Sequence, residues 1–111
     1  MPSSSPWGTV QTSVSHQRGL RTVSTASHGG ILISERVAGQ LLSEAARQRG
    51  FSWNGYLCFE EDCDATIVLF EIPAVRAAYR NSTTHQPPTE ADLRENLARW
   101  HAAYLAEGGL V

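Results

Sequence analysis

The apolar residues change their spacing part-way along the chain, and this limits the fold more than any other feature. In "VQTSVSHQ", Val10, Thr12, Val14 and His16 alternate with polar neighbours, the period of a half-buried strand. Arg18-Gly19 offers a turn, and "LRTVST", Leu20 to Thr25, reads as the returning strand of a hairpin. "ILIS", Ile31 to Ser34, is a short apolar run suited to a third strand. Beyond it the spacing becomes helical, with Val37, Leu41, Leu42, Ala45 and Ala46 on one stripe. Ser34 suits the N-cap, Glu35 the positive end of the dipole and Gly50 a left-handed stop, so a helix is predicted over 35–49.

"FSWNGYLCF" is aromatic and broken by Asn54-Gly55, a strong hairpin signal. The run from Thr66 to Phe70 is ambiguous. Its β-branched residues favour a strand, whereas the acidic residues before it favour a helix through the macrodipole, and the reading leans to helix. Pro73 restarts the chain as a short helix, and "NSTTHQPP" is a polar loop. Thr89 then caps a helix with Leu93, Leu97, Trp100 and Tyr104 on one stripe, Asp92 completing a capping box and Gly108 ending it. Strands first and helices later predict an α+β fold, a small antiparallel sheet packed against two or three helices. Residues 1–6 read as a disordered lead-in and 7–111 as one domain. The three tryptophans, Trp7, Trp53 and Trp100, are expected in the core or at its edge.

The chain has 111 residues, 41% hydrophobic and 18% charged, with a formal net charge of −2. These values describe a globular chain with no bulk attraction for nucleic acid or anionic membrane. All nine basic residues are arginines, scattered without a contiguous basic stretch, so no direct nucleic-acid partner is expected. No apolar run reaches the ~18 residues of a membrane span. Two cysteines, Cys58 and Cys63, give no disulfide framework, and a cytoplasmic setting is expected.

Two segments could carry chemistry. "SHGG" places His28 before Gly29 and Gly30, as a ligand loop would, or as an ordinary strand corner would. "EEDCD" crowds Glu60, Glu61, Asp62 and Asp64 around Cys63. Such a cluster could hold a cation, meet the arginines of a partner or serve as a solvated helix start. It lacks the alternating spacing of a calcium loop. Histidines 16, 28, 85 and 101 lack HxxxH spacing, so no metal ligand set and no cofactor is predicted. A nucleophilic pair of Cys63 with His28 would need the two loops to converge and a depressed thiol pKa.

Trp7-Gly8, "STASHGG" from Ser24 to Gly30, "SER" from Ser34 to Arg36 and "EEDCDATIV" from Glu60 to Val68 occur together in this order. In this the chain resembles a domain-of-unknown-function family of small bacterial proteins typical of plasmids, phages and integrated elements. The resemblance spans about residues 7–75, with Phe59 where Tyr is common and Ala65-Thr66 where Trp-Ala is common. It brings no catalytic roles. It singles out His28, Gly29, Gly30, Glu60, Glu61, Asp62 and Cys63, and implies a shared site or a structural lock in which His28 bonds a carboxylate of the cluster. The mobile-element setting implies a small non-enzymatic binding protein. Its target would be a protein, such as a nucleic-acid-binding host defence complex of the CRISPR–Cas kind, engaged through Glu60, Glu61, Asp62 and Asp64. A small hydrolase or transferase using His28 with Glu60, Glu61 or Cys63 is the alternative from the enzyme class. A structural or regulatory accessory domain is the third reading.

Overall fold

The computed structural model describes residues 4–61, 63–79 and 86–107. Its centre is a five-stranded antiparallel sheet built from β3 (Thr12–Gln17), β4 (Leu20–Ser24), β5 (Gly29–Ser34), β6 (Phe51–Trp53) and β7 (Tyr56–Glu60), in the order β3-β4-β5-β7-β6. A separate two-residue ladder joins β1 (Ser4–Ser5) to β2 (Gly8–Thr9). The helices are α1 (Glu35–Leu41), α2 (Glu44–Arg47), α3 (Ala65–Glu71), α4 (Pro73–Ala78), α5 (Glu90–Trp100) and α6 (Ala102–Ala106). The fold is α+β, as the spacing predicts. Among the described residues no helix is long and apolar enough to cross a membrane.

Local chemistry sets the strand pairings. Asn54 and Gly55 both take positive φ, 48° and 82°, which matches a tight two-residue turn to the twist of β6 and β7. Ser34 ends β5 and accepts from the Val37 amide at 3.3 Å, so strand becomes helix without an intervening loop. β5 is buried on both faces, which is why "GGILIS" is continuous rather than alternating.

The two faces of the sheet differ. Leu20, Ile31, Ile33 and Phe59 point into the main core, where Val37, Ile67, Val68, Val75, Leu97 and Tyr104 meet them. Val23, Leu32 and Cys58 point the other way. Among the described residues no helix contributes to their cluster; Trp7, Val10, Trp53 and Tyr56 pack around it. Trp7 meets Phe51 edge-on, ring centroids 6.0 Å apart.

Ser4 and Ser5 pair with β2, and the Ser5 hydroxyl donates to the Gly8 carbonyl at 2.9 Å, while residues 1–3 of the expected lead-in lie outside the described residues. Three expectations need correction. The helix predicted over 35–49 is two helices. Ser43 leaves the helix because its amide and hydroxyl both donate to the Glu71 carboxylate, at 2.7 and 2.6 Å, while its oxygen caps Ala46 at 3.1 Å. Tyr104 donates to the same carboxylate, so Glu71 ties α2, α3 and α6 together. The last helix breaks at His101 (φ −135°, ψ 40°) and restarts as α6 in a new phase, with Tyr104 inward. Trp100 is therefore not a core anchor but 69% exposed. Gly108, the expected stop, and residues 81–85 of the polar loop lie outside the described residues.

The ambiguous run is helical. Ala65, Ile67, Val68, Leu69 and Phe70 are all buried in α3. Asp64 stands at its N-cap without a side-chain cap bond, whereas Glu60 still belongs to β7.

Candidate functional site

The "SHGG" and "EEDCD" segments meet. Gly30 pairs with Glu60 across the β5–β7 ladder, and the Glu61 amide donates to the Gly29 carbonyl at 3.0 Å. The two glycines are needed for close approach. A Cβ on Gly29 would sit 2.5 Å from the Val23 carbonyl oxygen and 3.1 Å from Glu61 Oε2. One on Gly30 would sit 2.7 Å from Trp7 Cζ2, and closer still to the Phe59 carbonyl oxygen and Trp7 Cη2.

The lock between these loops is made by backbone, not by the imidazole. His28 is exposed, and among the described residues its ring has no hydrogen-bond or ion-pair partner. Only its main chain is fixed: the Thr25 hydroxyl accepts from the His28 amide at 3.2 Å and donates to the His28 carbonyl at 2.6 Å. The expected bond from His28 to Glu60, Glu61 or Asp64 is not formed. Asp62 lies outside the described residues.

Past the ladder the chain turns sharply, the Cys63 amide donating to the Glu60 carbonyl at 3.1 Å. Glu61 is exposed, and Glu60 and Asp64 are half-buried. Among the described residues none of the three forms an ion pair. Cys63 is exposed, and its Sγ lies 3.5 Å from Asp64 Oδ1. Partial burial raises its pKa first, and the carboxylates of Asp64 and Glu60 add to the rise by disfavouring a thiolate. Cys58, fully buried, is pushed up to about 11 by burial alone.

The histidine that reaches Cys63 is His101. From the break between α5 and α6 its Nε2–H donates to the Cys63 carbonyl at 3.2 Å. Cys63, Asn96, Trp100 and His101 line a cavity of about 320 Å³. Sequence reasoning missed this partner. No spacing rule joins residues 38 apart. Arg94, on the exposed side of α5, lies with its guanidinium 5.0 Å over the Phe70 ring.

The family described as Domain of unknown function (DUF7007) matches residues 1–107. The chain belongs to that family. The match extends through the C-terminal helices, beyond the segment that carries the motif resemblance. No curated protein and no solved structure matches the chain.

This DUF7007 chain has a further concavity away from Cys63. Arg18, Arg21 and Arg36, apart in sequence, line one cleft of about 550 Å³ together with Glu35 and Tyr56. Arginines that make no basic stretch along the chain thus gather where the β3–β4 turn meets the start of α1.

Proposed function

We propose that this chain is a small non-enzymatic binding protein that docks on an arginine-bearing protein surface through Glu60, Glu61, Asp64 and Trp100. The observation that carries the reading is the pairing of carboxylates that lack a cationic partner among the described residues with a widely exposed tryptophan at the neighbouring cavity. Carboxylates accept forked bonds from guanidinium groups, and tryptophan is among the commonest anchors of interface energy. A surface that normally grips phosphates is complementary to such a patch. The reading therefore fits an inhibitor encoded by a mobile element and acting in the cytoplasm on a nucleic-acid-binding defence complex such as a CRISPR–Cas effector. The raised pKa of the Cys63 thiol speaks against Cys63 as a nucleophile, which needs the opposite shift.

The test is affinity for a panel of purified nucleic-acid-binding defence complexes, read by calorimetry. A bound member should lose tenfold or more in affinity with Glu61→Arg/Asp64→Arg, and again with Trp100→Ala. The melting temperature of the free chain should barely move. Unchanged affinity in the charge-reversed chain, or no binding to any member, overturns the reading.

A further inference from the structure

We propose that Cys63, Asp64 and His101 form a site for a borderline-soft divalent cation of the zinc class. The ligand atoms of these three residues, a thiol sulfur, a carboxylate oxygen and an imidazole nitrogen, all lie within 4.8 Å of one another. Zinc bonds of ~2.3 Å to sulfur and ~2.0–2.2 Å to nitrogen or oxygen put neighbouring ligand atoms about 3.3–3.7 Å apart in a tetrahedron. The separation of Cys63 Sγ from Asp64 Oδ1, 3.5 Å, already matches. The histidine needs to close by about 1.5 Å at most, which rotation of side chains at a surface cavity supplies.

Donor chemistry selects the ion. Calcium and magnesium take oxygen ligands, whereas a thiolate with an imidazole suits zinc and its neighbours. Charge agrees: one thiolate and one carboxylate balance a divalent cation, and Glu60 adds negative potential nearby. The protein supplies three ligands, and the cavity lined by Asn96 and Trp100 leaves the fourth position to water or to a group from a partner. The ion would join the β7–α3 turn to the break between α5 and α6, two places far apart in the chain. This inference shares Asp64 with the docking surface but does not rest on that reading, because its test needs no target.

The experiment is a titration of the full-length, reduced, metal-free chain with Co²⁺ as a spectroscopic probe, followed by competition with Zn²⁺. One equivalent should bring up a thiolate-to-cobalt charge-transfer band and visible bands of tetrahedral intensity. Zn²⁺ should bleach both, and Mg²⁺ or Ca²⁺ should not. Cys63→Ser should abolish the charge-transfer band. His101→Ala and Asp64→Ala should each weaken affinity tenfold or more, with circular dichroism showing that each variant is folded. Cys58→Ala should keep the band. Zinc should raise the melting temperature of the parent chain and not that of His101→Ala. Absence of the charge-transfer band, saturation only at millimolar metal, or a band unaltered in His101→Ala overturns the assignment.

Discussion

Replacing Gly30 by alanine tests whether the glycine pair serves close packing rather than a ligand loop. The added methyl would stand 2.7 Å from Trp7 Cζ2 and closer to a second ring carbon and to the Phe59 carbonyl oxygen. The carbonyl belongs to the neighbouring strand and cannot turn aside, so the ladder or the indole must shift. Overpacking of this kind costs about 3 kcal/mol at the upper end of its range. Restricting the unfolded chain returns roughly 0.4–1 kcal/mol. A net loss of about 2 kcal/mol remains, and at about 4 °C per kcal/mol the melting temperature should fall by about 8 °C. The assay is thermal unfolding by circular dichroism, for Gly30→Ala, Trp7→Ala and the double variant. With the indole removed, the methyl should cost less, giving a coupling of about 1 kcal/mol. A melting temperature within about 2 °C of the parent would refute the packing argument. Strict additivity would show that Trp7 is not what stands in the way.

Glu71→Ala should lose about 2–3 kcal/mol in denaturant unfolding, because it strands the Ser43 amide and hydroxyl and removes an acceptor of the Tyr104 hydroxyl; Tyr104→Phe should lose about 1 kcal/mol. Stability should also fall at both ends of the pH scale. Burial lowers the pKa of His16, so below about 6.5 the unfolded chain takes up the proton first and stability drops as pH falls, an effect that His16→Ala should remove. Burial raises Cys58 from 9.0 to about 11, so over that range the unfolded chain releases the proton first. Stability should fall by about 2–3 kcal/mol as pH rises through it, with a shallower slope in Cys58→Ala. Equal slopes in variant and parent would count against either assignment.

What the sequence makes legible is whatever a few neighbouring residues decide. The Arg18-Gly19 and Asn54-Gly55 hairpins, the Ser34 cap and the capping box of Thr89 with Asp92 all stand where the residues place them. The failures have distant causes. Ser43 breaks a helix because Glu71 lies across from it, 28 residues on. Trp100 sits on a regular apolar stripe, as the last residue of α5, and is still exposed. The site was half visible. "EEDCD" marked the turn, but the imidazole that reaches it comes from His101, and the histidine that stood out, His28, gives only its main chain.

Helices cover one face of the sheet, whereas a small aromatic cluster and a two-residue ladder guard the other. Cys58 is fully buried on the inner strand beneath Trp7 and its neighbours. Its thiol is therefore a gauge already present in the chain: if the smaller cluster opens locally, labelling of Cys58 should outpace global unfolding, and equal rates would show that the two faces open together.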